Sequence, residues 1–102
     1  MDKETQRKLF LQLILQNQQM ALISMGKTSN PVSNQIEKNL EYAKISIDIL
    51  DMLLLKTKGN LSQVEEQYLK DMINNLKIDY ANASSENNET TPADKTEENR
   101  EN

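Results

Sequence analysis

Ile36, Leu40, Ala43, Ile47, Leu50 and Leu54 recur at steps of 4-3-4-3-4. That spacing keeps an apolar seam in line along an α-helix, as in a coiled coil, and no strand-type alternation produces it. At about 100° per residue, Tyr42, Ile45, Ile49 and Met52 form a second apolar stripe on roughly the opposite side. Between them runs a charged strip of Glu37, Glu41, Lys44, Asp48 and Asp51. A helix with two apolar sides must pack twice, so this segment is predicted to be the central helix of the structure. The sequence predicts that it opens at Asn34 or Ser33, with Glu37 completing a variant capping box, and reaches about Lys58 before Gly59. Lys56 and Lys58 then favour the negative helix end.

Two further helices flank it. The first is expected over about 3–25, closed by Gly26, with apolar residues that nearly encircle it: Leu9, Leu13, Met20 and Ile23; Phe10, Ile14, Ala21 and Met25; Leu11, Leu15 and Leu22. A loop with an Asn30-Pro31 turn signal follows. The last helix is expected over about 62–82. Ser62 and Glu65 form a capping box, and Tyr68, Leu69, Met72, Ile73, Leu76 and Tyr80 line its broad apolar face. Two glycines and two prolines in 102 residues are too few for a turn-rich all-β fold. The fold class is therefore a small all-α, three-helix domain.

Charge divides the chain. Residues 1–81 carry ten acids and ten bases, so the whole net charge of -4 falls in residues 82–102. That stretch has no apolar side chain larger than Ala and cannot offset the entropy of ordering it. It is expected to be a disordered acidic tail following a helical domain over 1–81. Sequons at Asn82 and Asn88 are read as chance matches, because no secretory signal accompanies them.

Several chemistries are excluded by composition. The chain has no Cys, His or Trp, which removes disulfides, thiol nucleophiles, imidazole catalysis and Cys/His zinc sites. No cofactor is expected. The uncharged run Leu9–Met25 includes Gln12, Gln16, Asn17, Gln18 and Gln19 and falls short of the ~20 apolar residues of a membrane span. No small-residue cleavage site follows it, so a cytoplasmic location is expected. A charge-balanced body without a basic stripe does not suit nucleic acid.

The segments Asn39-Leu40-Glu41-Tyr42-Ala43, Ile47-Asp48-Ile49-Leu50-Asp51-Met52-Leu53 and Lys56-Thr57-Lys58-Gly59-Asn60-Leu61-Ser62 carry a resemblance, joined by Glu65-Glu66, Leu69 and Leu76. Together they resemble the bacterial domain-of-unknown-function family numbered 1844, over about residues 9–83. The Lys56–Leu61 turn is the most specific piece. The first helix agrees only through its Leu spacing, Ala21 and Met25-Gly26, and the loop Lys27-Thr28-Ser29-Asn30-Pro31 departs from the family pattern. The resemblance implies a small helical protein and no activity, substrate or catalytic residue.

Two function classes follow. The first is a non-enzymatic, self-associating interaction or regulatory module. An ~80-residue helical body is marginal alone, and more apolar surface is present than three helices in one chain can cover. A homodimer would bury it, with Leu13, Met20, Ile36, Leu40, Ile47, Leu50 and Leu54 as the expected self-association residues. An unknown protein partner is a further expectation; membrane and nucleic acid are not. The alternative is a protein that binds a small ligand, an anion or a divalent metal. It would use the acids of the central helix, or the turn at Lys56, Lys58, Gly59 and Asn60 beside a helix N-terminus. With Lys44 set among those acids and no His to complete a di-metal motif, no metal ligand is assigned.

Overall fold

Asp2 starts the fold. Its carboxylate accepts the Thr5 N–H at 2.8 Å and caps the first helix. The structure, a computed structural model, describes residues 1–89, with side chains as far as Glu86. Three helices follow in order: α1 (Lys3–Ser24), α2 (Leu40–Lys56) and α3 (Gln63–Glu89). Among the described residues the only extended pairing is an isolated bridge between Asn30 and Gln35. The all-α, three-helix fold expected from periodicity is the one observed.

α1 stops where Gly26 allows it to stop. Gly26 takes φ +82°; its N–H donates to the Ile23 carbonyl at 3.0 Å, and the Lys27 N–H donates to Leu22 at 2.9 Å. These two bonds make a Schellman motif, which satisfies carbonyls the helix would otherwise leave bare.

The start of α2 corrects the sequence reading. Residues 34–39 are not helical: the cap is Asn39, whose side chain accepts the Tyr42 N–H at 3.1 Å. Asn34 takes a left-handed φ of +60°. The Asn30 side chain accepts from the Val32 N–H at 2.8 Å, and Ser33 Oγ donates to the Glu37 carboxylate within the loop. Local polar side chains thus hold a turn that competes with helix. Packing agrees with them. The Asn39 N–H donates to the Ser24 carbonyl at 2.7 Å, so α2 begins level with the end of α1. A helix begun at Asn34 would have projected beyond α1. Ile36 and Glu37 consequently belong to the loop, not to the seam and charged strip of α2.

The turn into α3 forms as its sequence predicts. Ser62 Oγ accepts the Glu65 N–H at 3.1 Å and Glu65 Oε1 accepts the Ser62 N–H at 2.9 Å, the reciprocal bonds of a capping box. α3 then runs past the expected end near 82 to Glu89. No Gly or Pro interrupts Ala81–Glu89, and Ala83 is buried in the core, which anchors the extra turns. The remainder of the expected acidic tail lies outside the described residues.

The core joins all three helices: Ile14 and Ala21 of α1 and its capping residue Met25, with Ala43, Ile47 and Leu50 of α2, and Leu69, Met72, Ile73, Leu76 and Ala83 of α3. Arg7 reaches Glu65 at 3.6 Å and Lys77 reaches Asp51 at 2.9 Å, both on the surface, where each adds at most about 1 kcal/mol. The Cα envelope measures 56 × 30 × 16 Å. A slab so thin beside ~10 Å helices leaves part of α1 and α2 uncovered.

Candidate interaction surface

Two exposed apolar rows stand out, one on α1 and one on α2, beside further exposed apolar residues: Leu11 and Leu15 of α1, Leu55 of α2, and Val64, Tyr68 and Ile78 of α3. On α1, Leu9, Leu13 and Met20 are exposed, at 50%, 41% and 38%. With Gln16 they fall at steps of 4-3-4, a single helical seam. On α2, Tyr42, Ile45 and Met52 are exposed, Ile45 by 52%, and Ile49 is half-buried. These are the second stripe recognised from spacing. The α2 row sits about 140° of helix rotation from the buried row of Ala43, Ile47 and Leu50. Asp51, between the rows on the other flank, pairs with Lys77 of α3. The uncovered α2 row is therefore on the side of that helix turned away from α3.

The seven residues expected to mediate self-association separate accordingly. Leu13 and Met20 lie on the uncovered surface. Ile47 and Leu50 are buried in the chain's own core, where α1 and α3 meet them, and no second copy can reach them. Leu40 and Leu54 are partly buried against that core. Ile36 is on the loop, its methyl near Gly26. The error was one of assignment. The row with regular seam spacing is the intramolecular one, and the row left over, Tyr42, Ile45, Ile49 and Met52, faces outward. Ala43 marked the difference in the sequence. A small residue lets helices approach closely, and its row is the one packed against α1, where Ala21 is also fully buried.

The turn expected to contact an anion or partner is arranged differently from its sequence reading. Gly59 and Asn60 line an open cleft of about 610 Å³ together with Lys3, Arg7, Ser62 and Glu65. Lys56 and Lys58 are exposed and do not line it. The Glu65 carboxylate already accepts the Ser62 N–H at the start of α3 and faces Arg7. The cleft thus carries its own anion.

The acids of α2 do not converge. Lys44 Nζ donates to Asp48 at 3.0 Å, and this bond raises the Lys44 pKa above its usual value. Asp51 turns to Lys77, and Glu37 sits in the loop. Among the described residues no three carboxylates lie close enough to hold a metal ion. No helix among them is long and apolar enough to cross a membrane.

Small, all-α and three-helix, with exposed apolar rows on its helices: that is the class these features define. The chain belongs to the family described as Domain of unknown function (DUF1844), whose model matches residues 7–82. No curated protein and no solved structure matches it significantly.

Proposed function

We propose that this protein is a non-enzymatic, self-associating helical module of the cytoplasm, which serves as a structural or regulatory partner of another protein. The observation that carries the reading is the pair of exposed apolar rows on α1 and α2. Single exposed apolar residues are ordinary. Six exposed ones and the half-buried Ile49, at helical spacing on two neighbouring helices, make apolar surface of the kind that marks an interface. The α1 side of the patch contains no charge from Leu9 to Met25, so docking there desolvates no ion.

Multi-angle light scattering on the full chain tests this reading. The wild type is expected to have the mass of a dimer and Ile45→Glu the mass of a monomer, with the helical circular dichroism of both unchanged. A wild-type monomer across the micromolar range would overturn it.

A further inference from the structure

From Lys3, α1 runs about three turns before its first buried residue, Ile14. The open cleft of about 610 Å³ lies between this stretch and the turn that follows α2. Its base is apolar: Phe10 and Leu61, both partly buried against the core. One wall is α1, with Lys3, Gln6 and Arg7; the other is the turn, with Thr57, Gly59, Asn60 and Ser62. An apolar base with a few polar groups converging on it, in a volume within the range of about 300–1,000 Å³, is the make-up of a ligand site.

The polar groups select the ligand. Lys3 and Arg7 are four residues apart and so share one face of α1. Among the described residues Lys3 makes no ion pair. Arg7 Nε stands 3.6 Å from Glu65 Oε2, too far for a hydrogen bond, and its side chain is 63% exposed. Its guanidinium therefore keeps donors for a second acceptor, and a carboxylate fits that fork. Two cations against the Glu65 carboxylate leave the lining with one net positive charge, which a single carboxylate neutralises and a dianion exceeds. On the opposite wall Gly59 takes φ +88° with nothing within 4 Å of a would-be side chain. The turn thus presents bare backbone to the cleft, where another main chain can approach closely.

We propose that this cleft binds the C-terminus of a peptide chain ending in an apolar residue. The terminal carboxylate lies between Lys3 and Arg7, the last side chain rests on Phe10 and Leu61, and the preceding peptide groups run along Gly59 and Asn60. No residue of the two exposed apolar rows lines the cleft, so this site does not depend on the self-association proposed above.

Nuclear magnetic resonance of the isotope-labelled full chain tests it. The protein is titrated to about 10 mM with N-acetyl-alanyl-leucine, with the same dipeptide amidated at its C-terminus, and with inorganic phosphate. The free acid is expected to give saturable amide shifts at Gly59, Asn60 and Leu61 and over Gln6–Phe10, and the other two probes none. Lys3→Gln and Arg7→Gln, both at exposed positions, should each weaken binding of the acid about tenfold. Lys8→Gln, exposed on the same helix but outside the cleft, should leave it unchanged. Absence of a saturable shift with the acid would overturn the proposal. An equal response to the amidated dipeptide would overturn recognition of the carboxylate, and phosphate binding as tightly as the acid would overturn the apolar subsite. A loss in Lys8→Gln equal to that in Lys3→Gln would reduce the effect to general charge attraction and overturn the site.

Discussion

On its inner side α2 presents Ala43, Ser46, Ile47 and Leu50, all buried; on its outer side it presents Tyr42, Ile45, Ile49 and Met52, none of them buried. Both rows obey helical spacing, and both are mainly apolar. They differ in size. The inner row contains Ala43 and Ser46, and Ala21 of α1 belongs to the same core, with Ala43 and Ala21 fully enclosed. Small side chains let two helices of one chain draw together, so large neighbours such as Leu50 can interdigitate. The outer row has no small residue and remains a ridge. Periodicity thus reports that a helix face will be buried; the sizes along the face report how closely its partner can come.

The largest effect should come from the inner row. Leu50→Ala removes a fully enclosed side chain and is expected to destabilise the fold by about 2–5 kcal/mol in urea denaturation. Ile45→Ala on the outer row should change unfolding of the separated protomer by less than about 0.5 kcal/mol. Equal losses at the two positions would break the distinction between the rows.

Next in size is the turn that sets α1 beside the inner row. Gly26 holds φ +82° with ordinary space around a would-be side chain. Gly26→Ala should therefore cost about 1–2 kcal/mol through backbone strain alone. Gly26→Asn should cost less, since Asn tolerates the left-handed region; a larger loss for Asn than for Ala would contradict this account.

Ser62→Ala deletes one half of the capping box at α3 and should lower stability by about 1 kcal/mol. Because α3 packs only on the inner side, this change should leave the dimer mass in light scattering as it is.

The smallest effect is electrostatic. The bond from Thr5 holds the Asp2 carboxyl below its usual pKa of 3.8. Its contribution to α1 is then present above that usual value and disappears as pH falls through the lowered one. Acid titration followed by circular dichroism should show a slight loss of helix in that window, absent from Asp2→Asn. The raised pKa of Lys44 works oppositely: its pairing with Asp48 stabilises at neutral pH and is lost only as pH rises above 10.5.

Much of this molecule was legible in its residues. Three helices, the Gly26 stop, the Ser62–Glu65 box and both faces of α2 follow from spacing and local hydrogen-bonding chemistry. Two boundaries did not. The Asn34–Glu37 stretch has the letters of a capping box, but Asn30 and Ser33 use their side chains in a turn, and α1 is already over at Ser24. Polar residues after Asn82 suggested the end of α3, yet one small residue, Ala83, finds a place in the core and carries the helix onward. The division of α2 between inside and outside was also hidden. Spacing alone ranks both rows as burial faces, and only the tertiary position of α1 and α3 decides which one the chain keeps for itself.

Sedimentation equilibrium of the wild-type chain alongside Leu13→Glu tests the central claim most directly, because Leu13 is on the uncovered surface and outside the core. The account predicts a reversible monomer–dimer equilibrium for the wild type, and a monomer with unchanged helicity for the variant. A wild type that remains monomeric at every concentration, or a variant that dimerises as tightly as the wild type, would contradict it.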